Sequence, residues 1–141
     1  MNPSPDDRFE VRAIGWVESP LTDRGDAPRQ GDEGAPDAVL RLDPAVREGI
    51  RDLAVGERVI VLTWLDRADR DVLVVHPRGD RSRAPHGVFS TRSPDRPNPI
   101  GLHTVQIVEI DDVRIKVRHL EALDGTPVLD VKPLLGPVGE R

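Results

Sequence analysis

The chain has 141 residues and a formal net charge of −5, with 37% hydrophobic residues, 32% charged residues and no cysteine. This length fits one domain with a single core, the lack of cysteine excludes disulfides and thiolate metal sites, and no run approaches the ~18 apolar residues of a membrane-spanning helix. The polar N-terminus has no secretory signal, so we expect a cytoplasmic protein without a membrane anchor.

The N-terminal part of the chain is predicted to contain one strand and one long loop. Residues 1–10 are expected to form a disordered leader before a single domain over 11–141. The apolar run VRAIGWV predicts a strand over 11–17, which Pro20 ends. Residues 20–37 hold three prolines, three glycines and five acidic residues, and so predict a loop. A loop of this length in a small domain is typical of a functional segment.

The middle of the chain predicts one helix among several strands. Asp43 and Pro44 have the residue types of an N-cap and a first helical position, and they predict a helix over 44–54 that stops at Gly56. Apolar and β-branched runs on either side of this helix predict strands over 38–42, 58–65 and 71–75.

The C-terminal part predicts a hairpin and one more strand. The hairpin joins 100–110 to 113–120 through Asp111 and Asp112. The apolar alternation slips between Ile107 and Val108, which predicts a bulge or a strand buried on both faces. The stretch DGTPVLDVKPLL over 124–135 predicts a glycine turn followed by a strand.

These elements predict a mainly β protein. Six or seven strands, one short helix and no repeated strand–helix alternation favour a mostly antiparallel barrel or a strongly bent sheet. The glycines do not form a dinucleotide-binding or phosphate-binding fingerprint, so a Rossmann fold is not expected. The histidines lack the spacing of a helical zinc pair, and no metal site is predicted.

Positive charge is concentrated between residues 76 and 103. This window has five arginines, two aspartates and three of the four histidines, a formal charge of +3 in a chain of −5. A carboxylate or a polyanion would be attracted to it. The alternative is a solvated loop in a chain that uses arginine in preference to lysine.

The stretch FSTRSPDRPNPIG, residues 89–101, is the strongest candidate for a binding loop. Its prolines fix the backbone, which lowers the entropy lost when a ligand binds. Arg92 or Arg96 can hold a carboxylate or phosphate through paired hydrogen bonds, and Asn98 offers a donor and an acceptor to a base or ribose. The alternative is a rigid crossover that covers one end of a barrel. The turn LDGTP (123–127) and the stretch APRQG (27–31) are further candidates.

Together these stretches resemble the TrmO-like (TsaA-like) family of S-adenosylmethionine-dependent methyltransferases. The resemblance rests on IGWVESPL (14–21), APRQG (27–31), GVFSTRSPDRPNPIGL (87–102) and LDGTPVLDVKP (123–133). It implies a single-sheeted β-barrel, a homodimer with the cofactor near the subunit interface, and methylation of N6 of threonylcarbamoyl-adenosine beside a tRNA anticodon. A small-molecule methyltransferase and a non-catalytic S-adenosylmethionine-binding module are the alternatives.

The resemblance also assigns roles to residues. It implies Arg92, Arg96 and Asp124 as catalytic residues, and a cofactor pocket made of Pro28, Arg29, Gln30, Phe89, Ser90, Thr91, Arg92, Ser93, Asn98, Asp124, Gly125, Thr126 and Pro127. Asp124, Asp130 and His103 are the candidates for a base at the acceptor nitrogen. Ser90, His103 and Leu134 depart from the residues usual at these positions in the family.

Overall fold

The computed structural model describes residues 4–28, 34–76 and 80–136. Six strands pair only antiparallel and close into a barrel in the order β1-β2-β7-β6-β3-β8, while β4 and β5 form a separate two-stranded ribbon. The strands are β1 (Gly15–Glu18), β2 (Ala38–Leu42), β3 (Arg58–Trp64), β4 (Val74–Val75), β5 (His86–Gly87), β6 (Ile100–Asp111), β7 (Arg114–Arg118) and β8 (Pro127–Pro133). The predicted mainly β, antiparallel, non-Rossmann fold is confirmed.

Alternation along the strands builds the core. In β7, Ile115 and Val117 are buried while Arg114, Lys116 and Arg118 are exposed, as their sequence period predicts. The other strands place their buried residues in the same barrel interior. Full burial of each such Val, Leu or Ile contributes about 1.5–3 kcal/mol, so this interior is the main source of stability.

Several predicted elements are confirmed with small changes of boundary. The strand over 38–42 has the predicted bounds, and the hairpin of β6 and β7 is present. The register shifts between Ile107 and Glu109, which confirms a bulge at the predicted slip. Because β6 has one extra residue there, Ile107 and Ile110 both lie opposite inward residues of β7, Val117 and Ile115.

Three boundaries predicted from the sequence are wrong. The first strand begins at Gly15 rather than residue 11, because residues 11–13 are exposed and have no neighbouring strand to pair with. The strand over 71–75 shrinks to Val74–Val75. The helix over 44–54 is a 3-10 helix over Pro44–Ile50, capped as predicted by Asp43, whose carboxylate accepts from the Ala45 N–H at 2.9 Å.

The shortened helix has a physical reason. Only Ile50 of its seven residues is buried, so little apolar surface compensates the cost of nucleating a longer α-helix. Two further 3-10 helices, Arg24–Asp26 and Val88–Ser90, lie in loops. Among the described residues, no helix has the length and hydrophobicity needed to cross a membrane.

The antiparallel arrangement brings distant parts of the sequence to one rim of the barrel. Strands β1 and β3 end there, whereas β6 and β8 begin there, because neighbours run in opposite directions. The loops that follow Glu18 and Trp64 therefore meet the loops that precede Ile100 and Pro127. The described part of each motif that carries the family resemblance reaches this rim.

At the opposite rim, an ion pair fixes the β6–β7 turn and predicts a pH effect. Asp112, at φ 53°, accepts from Nε and Nη2 of Arg47 at 2.7 and 3.0 Å, and this hydrogen bonding holds the pKa of Asp112 below its ordinary value. A lowered pKa means that the pair stabilises the fold above the ordinary carboxyl pKa of 3.8 and stops doing so as the pH falls through the lowered value.

We expect Asp112→Asn to unfold at a lower temperature than the wild type at pH 7, with the difference declining below pH 3.8 and vanishing once the pH falls below the lowered pKa of Asp112. Asn tolerates a positive φ, so the variant removes the charge without straining the turn. Asp111→Asn is the matched control, since it removes a neighbouring charge without the Arg47 pair. Thermal melts between pH 2 and 7 make the measurement, and a difference that does not change with pH contradicts the assignment.

Candidate functional site

A cleft of about 1040 Å³ opens at the rim where the motif loops meet. Its walls come from the 24–28 segment, the 65–68 loop after β3, the β4–β5 ribbon, the 90–96 loop, the start of β6 and the 121–126 turn. Leu65, Ile100, Leu102, Ala122 and Leu123 give it an apolar surface. An apolar cavity with a few polar groups is the usual form of a small-molecule site.

The charged lining of the cleft is mainly cationic. Its arginines are Arg24, Arg67, Arg81, Arg83, Arg92 and Arg96, against the acids Asp66, Asp95 and Glu121. Two of the arginines have an acidic partner, because Arg24 pairs with Asp95 at 3.2 Å and Arg83 with Asp80 at 3.8 Å. The excess of arginine in a chain of −5 makes this cleft a place where an anion is attracted.

Hydrogen bonds from the segment after β3 hold the proline loop, residues 89–99, in place. Arg70 donates from Nε to the Pro97 carbonyl at 2.7 Å and from Nη2 to Oδ1 of Asn98 at 3.0 Å, and its guanidinium lies over the Trp64 ring. The Pro99 carbonyl accepts from the Leu65 N–H at 2.8 Å. Asn98 is thereby turned toward Arg70, and its side chain does not line the cleft.

Arg96 fixes the first part of the same loop. Its guanidinium donates to three carbonyls of the loop, those of Val88 at 2.8 Å, Ser93 at 2.9 Å and Thr91 at 3.1 Å. A charged donor shared by three carbonyls fixes the curvature that proline alone leaves open. The structure therefore gives Arg96 a bracing role while it also lines the cleft.

Arg92 lies beside this brace in a different environment. It is exposed, lines the cleft, and makes no hydrogen bond or ion pair within the described part of the chain. Its paired donors are available to a carboxylate or phosphate of a ligand.

The glycine turn contributes Thr126 to the cleft and anchors the chain after β1. Asp124 accepts from the Ser19 N–H at 3.0 Å, and Gly125, at φ +81°, donates its N–H to the Val17 carbonyl at 2.7 Å. Asp124 therefore holds the rim together and does not line the cleft. Thr126 does line it, with a buried side chain whose hydroxyl has no hydrogen bond to another described residue.

A buried polar chain runs into the cleft from the barrel interior. The imidazole of His103 is within hydrogen-bond distance of two groups, with Nδ1 2.6 Å from Oε1 of Glu121 and Nε2 2.7 Å from Oγ1 of Thr63. A carboxylate oxygen only accepts, so Nδ1–H donates to Glu121, while Nε2 is hydrogen-bonded to the Thr63 hydroxyl. Both ring nitrogens of His103 are thus engaged within the protein.

This polar chain requires the glycine at position 101. A Cβ there would lie 2.7 Å from Nε2 of His103 and even closer to Oγ1 of Thr63. Any side chain at Gly101 would push these two groups apart.

The structure brings some of the predicted site residues together and separates others. Those that line the cleft are Pro28, Ser90, Thr91, Arg92, Ser93, Arg96 and Thr126. Those that do not are Phe89, Asn98, Asp124, Gly125 and Pro127. Arg29 and Gln30 lie outside the described residues.

The three candidate bases differ in their access to the cleft. Neither Asp124 nor Asp130 lines it, and Asp130 accepts from the Val131 N–H at 2.9 Å and pairs with Lys132 at 3.4 Å. His103 lines the cleft but has both nitrogens occupied.

Glu121 and Thr63 were not predicted from the sequence as site residues. A histidine at an inward position of β6, between Gly101 and Val105, is a signal that could have led to both, since a buried imidazole needs polar partners.

Comparisons with known proteins confirm the resemblance found in the sequence. Residues 16–138 match the family described as the tRNA-methyltransferase O N-terminal domain. A "Probable S-adenosyl-L-methionine-binding protein" of Methanothermobacter thermautotrophicus is 42% identical over 91% of this chain and 91% of its own. An "S-adenosyl-L-methionine-binding protein" of Archaeoglobus fulgidus is 44% identical over 86% of each chain.

Similarity to solved structures supports the same family. The crystal structure of TrmO from Pseudomonas aeruginosa superposes with a TM-score of 0.73 at 30% identity, covering 92% of this chain and 57% of that one. A second Archaeoglobus fulgidus relative, also named a probable S-adenosyl-L-methionine-binding protein, is 44% identical, and the match covers only 33% of its length. The matched region thus covers from 33% to 91% of the length of these four proteins.

The contrast between Arg96 and Arg92 predicts different effects on stability. Arg96→Ala leaves three loop carbonyls without their charged donor and is expected to lower the free energy of unfolding by about 2–4 kcal/mol. Arg92→Ala removes an exposed side chain and is expected to change it by less than about 0.5 kcal/mol. Urea unfolding followed by circular dichroism measures both. Equal effects of the two substitutions would show that Arg96 does not brace the loop.

Proposed function

Because the chain belongs to the family of the tRNA-methyltransferase O N-terminal domain, we propose that it methylates N6 of threonylcarbamoyl-adenosine next to a tRNA anticodon, with S-adenosylmethionine as the methyl donor. The observation that carries the proposal is the cationic cleft, where the proline loop, the 24–28 segment and Thr126 meet at one rim. The names of the relatives, which describe S-adenosyl-L-methionine-binding proteins, support the choice of donor.

The lining of the cleft fits this donor. Its volume of about 1040 Å³ is ample for a nucleoside carrying an amino-acid side chain, and its apolar residues suit an adenine ring. Arg92 would hold the carboxylate, and the Thr126 hydroxyl would hydrogen-bond a polar group of the nucleoside. When bound, S-adenosylmethionine supplies a methyl group on a sulfonium, which the acceptor nitrogen displaces in line as the S–CH₃ bond breaks and the N–CH₃ bond forms.

The contribution of the protein is positioning. A displacement of this kind needs the two reactants about 3–3.5 Å apart and aligned, and the braced loop supplies a wall that is ordered before either reactant binds. The N6 proton of the acceptor leaves to solvent, since His103 is occupied and neither Asp124 nor Asp130 lines the cleft. Arg96 and Asp124 act through the loops they hold, as positioning residues.

The arginines at the outer wall suit a polyanionic substrate. Arg81 and Arg83 lie in the connection between β4 and β5, line the cleft and are exposed. Phosphates of an anticodon stem-loop would contact them while the modified base enters the cleft.

The purified protein is expected to transfer labelled methyl groups from S-adenosylmethionine to tRNA carrying threonylcarbamoyl-adenosine, and not to the same tRNA without this modification. Mass spectrometry of the digested nucleosides identifies the product. Methylation of a small molecule in place of tRNA, or cofactor binding with no turnover on either, would contradict the proposal.

The contribution of the arginines is measured by the salt dependence of tRNA binding. Arg81→Ala with Arg83→Ala is expected to weaken binding and to reduce the slope of log K against log salt by about one for each phosphate that is no longer neutralised. Arg51→Ala is the matched control, because Arg51 is exposed on the 3-10 helix side of the barrel and does not line the cleft. Equal slopes for both variants would remove the ribbon from the RNA interface.

We also propose a homodimer that covers the apolar edge of the cleft. Leu73, Val74 and Phe89 are 61%, 61% and 80% exposed, and they are neighbours because the Val88 N–H donates to the Leu73 carbonyl and Val74 pairs with Gly87. Such side chains gain from burial against a second copy.

Phe89→Glu is expected to convert a dimer of the 15.6 kDa chain to monomer in sedimentation equilibrium. Val55→Glu, at an equally exposed valine elsewhere, serves as the control and is expected to leave the dimer intact. A wild-type mass of 15.6 kDa overturns the dimer.

A further inference from the structure

Glu121 is the least exposed of the three acids that line the cleft. Its side chain is only 16% exposed, and Oε1 accepts from the almost fully buried His103 at 2.6 Å. His103 is in turn fixed by Thr63 on the neighbouring strand β3. A carboxylate supported by two buried groups keeps one orientation, as a binding residue must.

The second oxygen of Glu121 faces the cleft. Oε2 has no hydrogen bond to another described residue, and no buried polar side-chain atom in the described part of the chain lacks a partner. Oε2 is therefore reached by solvent, and the surface that Glu121 contributes is the cleft lining.

Its charge is not balanced by an arginine. Within the described residues the ion-pair partner of Glu121 is His103, whereas Asp95 pairs with Arg24. The imidazole of His103 satisfies one oxygen of the carboxylate and leaves Oε2 without a donor from the described residues. A cationic donor on the ligand would supply the missing hydrogen bond and a charge of opposite sign.

We propose that Glu121 binds the α-ammonium group of the methyl donor, with His103 and Thr63 as the residues that position it. This inference rests on the proposed function, since it concerns the same cleft and the same cofactor. An oxygen acceptor pairs with N–H donors, and the sulfonium of the cofactor has none. The amino-acid end of the cofactor has a carboxylate and an ammonium group. In the cleft, Arg92 would bind the carboxylate and Glu121 the ammonium.

A role for Glu121 as the base at N6 fits the chemistry less well. The acceptor is an amide-like nitrogen, whose proton is held far more tightly than a carboxylate can remove efficiently. A carboxylate close to the sulfonium would also stabilise the reactant charge that disappears in the transition state, which slows the reaction.

The test measures affinities by calorimetry for S-adenosylhomocysteine and for its analogue with hydrogen in place of the α-amino group. Glu121→Gln is expected to weaken binding of S-adenosylhomocysteine by about tenfold to a hundredfold and to leave binding of the deaminated analogue unchanged. The Gln side chain still accepts from His103 through its carbonyl oxygen, so the variant keeps the polar chain and is expected to fold.

Two further variants complete the comparison. Asp66→Asn removes another acid of the cleft lining and is expected to weaken both ligands equally or not at all. Glu121→Asp keeps the charge but withdraws it by one methylene, and is expected to give a smaller loss confined to the ligand that carries the amine. Circular dichroism checks that each variant is folded.

Several outcomes would overturn the inference. The first is an equal loss of affinity for both ligands. The second is a loss of affinity for S-adenosylmethionine without a loss for S-adenosylhomocysteine, which would place Glu121 at the sulfonium. The third is intact binding with abolished turnover, which would make Glu121 a base. In each of these cases binding of S-adenosylmethionine by the wild type leaves the proposed function standing. A wild type that does not bind S-adenosylmethionine overturns both.

Discussion

The guanidinium of Arg96, which gathers the carbonyls of Val88, Thr91 and Ser93, is the interaction on which the site depends. Without it the carbonyls of these three residues would lose the charged donor that they share. The buried Pro99 fixes one end through the Leu65 N–H, and Arg70 holds the back. Arg96 fixes the turn of residues 88–93, and this turn places Arg92 at the cleft. The guanidinium of Arg96, which holds the loop, thus positions the guanidinium of Arg92, which is available to a ligand.

The closed barrel brings the loop that Arg96 holds together with the other walls of the cleft. Antiparallel closure carries residues about a hundred positions apart in the sequence to the same rim, where Asp124 accepts from Ser19. The inside of the barrel is apolar except at that rim, where Thr63 and His103 extend the interior as a polar chain to Glu121. The cleft therefore combines an arginine-rich wall, formed by loops, with a carboxylate held from the core.

The sequence was sufficient to predict the strands with regular alternation and the bulge near Ile107. It did not reveal which polar side chains hold the loops in place. Asp124, Asn98 and Arg96 were predicted as ligand-binding or catalytic residues, and in the structure each makes hydrogen bonds that fix a loop. Which use a polar side chain has depends on partners distant in the sequence, and periodicity carries no information about them. The pairing of His103 with Glu121 was not predicted for the same reason.

If the braced loop and the turn before β8 form the binding site of the methyl donor, both segments should become protected when the donor binds. A second hollow, of about 330 Å³ beside Trp16, is a natural reference, because its arginines, Arg41 and Arg114, are both paired with Glu18. Hydrogen–deuterium exchange with and without S-adenosylmethionine makes this comparison. We expect slower exchange over residues 88–96 and 121–126 and no change over 41–44 and 113–114. Protection confined to the second hollow, or unchanged exchange over 88–96 at saturating donor, would contradict the assignment of the site.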